Sequence, residues 1–139
     1  MLTLLALLAL LALLTLLLIL SKLLFHLPLQ LLRFAVLEEG DIYLTEKGRS
    51  FVQSDVDGRR ALFTEALRAY VPLANMIRQV LDERWNHRAS AVRFRDELED
   101  HMSAEYATDT LRTVIGWGRY AELFSYDEEA EQFSLDDLD

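Results

Sequence analysis

The stretch from Ala104 to Leu135, AEYATDTLRTVIGWGRYAELFSYDEEAEQFSL, decides the fold. Its first half places Ala107, Leu111, Val114 and Ile115 at steps of three and four, the mark of a helix with one buried face. Ser103 stands just before it as an N-cap. Gly116 and Gly118 flank Trp117, where the helix is expected to loosen. Two short strands, Leu123-Phe124-Ser125-Tyr126 and Gln132-Phe133-Ser134-Leu135, then bracket the acidic turn from Asp127 to Glu131. A helix that runs into a hairpin is a winged-helix ending.

Moving toward the N-terminus, three more amphipathic helices are predicted. Asp55 or Asp57 caps the first, which buries Leu62, Phe63, Ala66, Leu67 and Tyr70. Pro72 opens the second, with an apolar stripe of Leu73, Met76, Ile77, Val80 and Leu81 that extends toward Trp85. Asn86-His87-Arg88 is a loop, and Ser90 caps the third helix, which buries Ala91, Phe94, Leu98 and Met102. Before these helices, Phe34-Ala35-Val36-Leu37 and Ile42-Tyr43-Leu44-Thr45 flank Glu38-Glu39-Gly40-Asp41, a second hairpin signal. Thr45 then caps a short helix from Glu46 to about Gln53. This first unit reads as a winged helix lacking its two early helices.

The N-terminus is of another kind. Leu2 to Leu20 contain 13 Leu, three Ala, one Ile and two Thr, with no charge. A helix of that length spans roughly 28 Å, near the thickness of a bilayer core. The leading expectation is therefore a transmembrane helix over 2–21 that meets lipid. Lys22 and Arg33 after it would place the remainder on the cytoplasmic side of an inner membrane, by the positive-inside bias. A secretory signal peptide lacks its basic n-region and cleavage site. The third-residue rhythm of Thr3, Ala6, Ala9, Ala12 and Thr15 also fits a low-complexity expansion or a mistaken start, which would leave the protein cytoplasmic. The expected fold class is thus mainly α with small β-hairpins: a hydrophobic segment over 1–27, a winged-helix-like domain over 28–136, and an acidic turn and tail over 127–139.

Composition narrows function. The 139 residues carry 14 Lys+Arg against 23 Asp+Glu, a net charge of -9, and no cysteine. That excludes disulfides, thiolate metal sites and a cysteine nucleophile. Residues 49–95 hold nine arginines and five acids, and Arg59, Arg60, Arg68 and Arg88 are the candidate basic face. The helix before the last hairpin bears Glu105 and Asp109 against Arg112, and its turn is acidic, so a DNA duplex is repelled where reading would occur. Glu97 and His101 share a helix face at a metal-site spacing, but no second histidine accompanies them, and a surface ion pair is the simpler role. No nucleophile elbow is present, and no catalytic, metal or cofactor residue is assigned. Trp117, Arg119, Tyr120, Phe124 and Tyr126 cluster where the last helix meets its hairpin and are the candidate interface.

Three blocks resemble one known family. Leu37 to Arg49 (LEEGDIYLTEKGR), Tyr70-Val71-Pro72-Leu73 with Val80 to Arg84 and His87-Arg88, and Gly116 to Phe124 (GWGRYAELF) resemble the AAA-associated C-terminal domain. In that family the domain follows the ATP-binding subunit of nitrate/sulfonate/bicarbonate-type ABC transporters. The resemblance implies a non-catalytic accessory or regulatory module. Its partners would be a transporter ATP-binding or permease subunit, or a second copy of the chain. No G-x-x-x-x-G-K-[ST] loop occurs, so ATP hydrolysis is not implied for this chain. A winged-helix DNA-binding regulator and a fragment of a longer ABC ATPase are the alternatives.

Overall fold

The computed structural model describes residues 4, 6–12 and 30–138. The chain forms two compact units, Met1–Ser50 and Phe51–Asp139.

In the first unit, β1 (Ala35–Glu38) and β2 (Asp41–Leu44) form an antiparallel hairpin with Val36 opposite Tyr43 and Leu37 opposite Ile42. Its two-residue turn, Glu39-Gly40, has φ of 51° and 87°, the left-handed pair whose twist suits a tight hairpin. Helix α1 (Glu46–Gln53) follows, and the Gly48 amide donates to Thr45 Oγ1 at 3.0 Å, as the capping prediction requires. A Cβ on Gly48 would collide with the carbonyl oxygen of Phe34, so the helix start and the residue leading into β1 can approach only through glycine.

Residues 6–12 are helical, a run of roughly 10 Å at about 1.5 Å per residue. Among the described residues no helix is long and apolar enough to cross a membrane. This corrects the expected transmembrane helix over 2–21 and the single-pass placement that rested on it. Residues 13–21 lie outside the described residues.

The second unit holds α2 (Val56–Tyr70), α3 (Pro72–Glu83), β3 (Arg88–Ser90), α4 (Ala91–Glu99), α5 (Ala104–Tyr120), β4 (Ser125–Asp127) and β5 (Gln132–Ser134). Each helix starts where the sequence signals it. The side chains of Asp55, Ser90 and Ser103 accept from the amides of Gly58, Val92 and Tyr106, and Pro72 occupies the first turn of α3. The three strands pair antiparallel in the order β3-β5-β4, which brings Ala89, Phe133 and Tyr126 into one cross-strand row. The segment predicted as a loop before Ser90 therefore contributes an edge strand; with alanine as its only apolar residue, it carries no periodic signal.

Phe133, at the centre of the sheet, packs edge-on to Phe94 of α4 and to Phe124, with ring centroids 5.4 and 4.9 Å away, and against Tyr126 at 4.8 Å. Leu67, Ile77, Leu81, Phe94, Leu123, Phe124 and Phe133 are the largest fully buried side chains. Trp85 does not extend the stripe of α3. The helix ends at Glu83, and Trp85 is 92% exposed. Nor does α5 loosen at its glycines: it runs on to Tyr120, and Gly118 is buried against the ring of Phe124.

Candidate interaction surface

Helix α2 and the end of α5 build the surface on which the sequence candidates meet. Phe63 of α2 sits edge-on to Tyr120 at 5.1 Å and to Trp117 at 6.4 Å. The Arg60 guanidinium lies over the Tyr120 ring, 5.5 Å from its centroid, and its Nη1 donates to Glu122 at 2.9 Å. Glu122 adopts φ of 56° just past α5, where the Leu123 amide reaches back to the Gly118 carbonyl. That left-handed position favours glycine, and a glutamate there is held by its arginine. Thr64 donates to the Arg60 carbonyl and lies 3.1 Å from that of Ala121, fixing α2 to the same turn. Beside them lies a groove of about 640 Å³ lined by Asp57, Arg60, Ala61, Thr64, Glu65, Arg68, Ala121 and Glu122.

The candidate interface divides. Tyr120 is 41% exposed and Trp117 half-buried, so both present aromatic surface to solvent. Phe124 is 1% exposed and lies in the core against Gly118 and Phe133. Tyr126 is on the sheet against Phe133, and Arg119 reaches Glu128 in the β4–β5 turn at 3.5 Å.

The candidate basic face divides as well. Arg60 and Arg68 line the groove. Arg59 donates to the carbonyls of Phe51 and Val52, closing the end of α1. Arg88 pairs with Asp136 at 2.7 Å across the sheet edge. Arg95, outside the candidate set, pairs with Glu131 of the same hairpin at 2.8 Å. Three of the carboxylates expected to form a solvated turn and tail, Glu128, Glu131 and Asp136, thus each hold an arginine. Phe63 and Glu122 were absent from the sequence candidates. Phe63 reads only as a core position, and a residue in the left-handed region has no sequence signature unless it is glycine or asparagine.

Burial pushes the Tyr126 phenol above its usual range, and the Glu131 carboxylate adds to the effect. The hydrogen bond from Arg95 to Glu131 raises the arginine in turn. Because the folded state keeps a proton that the unfolded chain releases near pH 10, Tyr126 contributes stability that is complete below that pH. The contribution is lost as pH rises through the folded pKa. The denaturation midpoint should therefore fall more steeply above pH ~10 in the parent chain than in Tyr126→Phe.

Among the described residues no group of three or more His, Asp or Glu is placed to hold a metal ion. The fold and surface define a small, mainly helical domain closed by hairpins. The family model of the C-terminal AAA-associated domain matches residues 24–127, and the chain belongs to that family. Such a domain is an accessory part of ATPase-type proteins. No curated protein and no solved structure matches the chain.

Proposed function

We propose that this chain is a non-catalytic docking module for an ABC transporter ATP-binding subunit of the nitrate/sulfonate/bicarbonate type. The contact would be the surface of Phe63, Trp117, Tyr120 and Arg60. The family match over residues 24–127, in a sequence without a phosphate-binding loop, carries the reading. The geometry supports it: an exposed tyrosine held by the Phe63 ring and an arginine, with Trp117 on the same phenylalanine, is the kind of anchor that dominates protein interfaces.

The order α3, β3, α4, α5, β4, β5 is also that of winged-helix proteins, in which α5 would enter a DNA groove. Its outer face favours a protein partner instead. Glu105 and Asp109 are exposed there, and Arg112 is already held by Asp109 at 3.0 Å.

Calorimetry of the full chain with Mg-ATP is expected to give no binding heat; micromolar affinity would refute the non-catalytic reading. Co-purification with the ATP-binding subunit should drop at least tenfold in Tyr120→Ala, a change at a surface position. Retention at the parental level would remove the aromatic surface from the contact.

A further inference from the structure

Two glycines stand two residues apart in α5, and only one of them has a reason inside the chain. A Cβ on Gly118 would overlap the Phe124 ring, so that position admits nothing larger. Gly116 is exposed, and nothing lies within 4 Å of the place its Cβ would take. Glycine weakens a helix interior relative to alanine, and at Gly116 no packing within the chain offsets that cost. What the glycine does leave is a hole on the helix surface, through which another molecule can approach the backbone.

The hole sits in a seam. Tyr106, Asp109, Thr113, Gly116 and Tyr120 fall at i, i+3, i+7, i+10 and i+14, the spacing of one packed helix face, and all five are exposed. Tyr106 at 65% and Tyr120 at 41% exposure wall its two ends. The charge between them is closed within the chain, since Arg112 holds Asp109 at 3.0 Å. The Thr113 hydroxyl donates back to the Asp109 carbonyl at 3.0 Å. At its C-terminal end the seam runs into the aromatic surface, where Tyr120 and Trp117 meet Phe63.

We propose that Gly116 is a specificity-determining residue of the contact with the ATP-binding subunit: a helix of that subunit lies along α5 and seats one large aliphatic side chain over Gly116, between Thr113 and Tyr120. The inference rests on the docking reading above and states what the partner must present there. An uncharged knob fits because the seam's own charge is already paired and its hole is bounded by a tyrosine ring and a threonine. A second copy of the chain fits worse. Its one large side chain free to enter the hole, Tyr106, reaches Gly116 only in an antiparallel pairing that carries Tyr120 past the partner's helix start at Ala104. The same pairing sets Glu105 against Trp117 and leaves the surface around Phe63 uncovered. A parallel copy would set Asp109 against Asp109 and leave both holes empty.

Stability and binding should therefore move in opposite directions. Gly116→Ala is expected to raise the urea midpoint of the full chain while weakening its affinity for the purified ATP-binding subunit by roughly tenfold, and Gly116→Leu should weaken it further. A glycine kept for the fold alone would not give that split. Parental affinity in Gly116→Leu, with Tyr120→Ala still impaired, overturns this inference and leaves the docking reading standing. No binding by the parent chain removes both. Self-association of the full chain in the analytical ultracentrifuge that Gly116→Leu abolishes would make a second copy the occupant, and would overturn the proposal as well.

Discussion

Phe133→Ala is expected to cost about 3–5 kcal/mol and to move the denaturant midpoint further than any other truncation in the second unit. The residue is fully buried in the central strand and is the one ring shared by three aromatic contacts, with Phe94, Phe124 and Tyr126. Alanine removes the ring and leaves a cavity that its neighbours cannot close. Phe94 is carried by α4, while Phe124 and Tyr126 are carried by the segment entering β4 and by β4 itself. Since small domains are stable by about 5–15 kcal/mol in total, the variant should unfold at markedly lower denaturant, or be partly unfolded in buffer. Urea titration followed by circular dichroism measures the change. Phe133→Leu, which refills most of the volume, should recover a large part of the loss. A loss below about 1 kcal/mol for the alanine variant would mean that the sheet is not packed on this ring.

How far the fold was legible follows the same division between local and distant chemistry. Helix starts were readable because their cause is local: Asp55, Ser90, Ser103 and Thr45 each bond an amide two or three residues on. Buried faces were readable where spacing repeats, as at Ala107, Leu111 and Val114. What failed depended on partners far along the chain. Strand β3 forms because Phe133, 44 positions later, supplies its ladder opposite Ala89. Trp85 looked like the end of an apolar stripe, yet α3 stops before the stripe reaches it. The leucine run shows the limit of hydropathy: composition alone predicted a spanning helix, and among the described residues no helix is long and apolar enough to cross a membrane.

The candidate surface was half legible for the same reason. Aromatic and basic residues were singled out by type, but as two separate sets. Only folding joins Arg60 to Tyr120 and to Glu122, 62 residues away, and sends Arg59 and Arg88 to other tasks. Of the arginines in the basic set, Arg60 and Arg68 alone reach the groove. Charge counts along a sequence therefore overstated the free basic surface, because several arginines are held by carboxylates or carbonyls of the folded unit.

Gly116 and Gly118 offer the second large effect, with opposite signs at positions two residues apart. Glycine costs a helix interior about 1 kcal/mol relative to alanine, so Gly→Ala should stabilise α5 wherever the added methyl finds room. At Gly116 nothing lies within 4 Å of the new Cβ, and Gly116→Ala should raise stability by up to about 1 kcal/mol. At Gly118 the Cβ would overlap the ring of Phe124. That ring cannot swing aside, since it is 1% exposed and packs edge-on to Phe133 at 4.9 Å. The clash must then push α5 away from the sheet, an overpacking cost of about 1–3 kcal/mol or more that exceeds the propensity gain. Gly118→Ala is expected to be net destabilising, and Gly118→Leu should prevent the second unit from closing. Shrinking the obstacle checks the cause: Phe124→Leu combined with Gly118→Ala should be less harmful than the sum of the two single changes, because they share one space. Strict additivity in that double-mutant cycle, or stabilisation by Gly118→Ala, would show that α5 and Phe124 are not in the contact described.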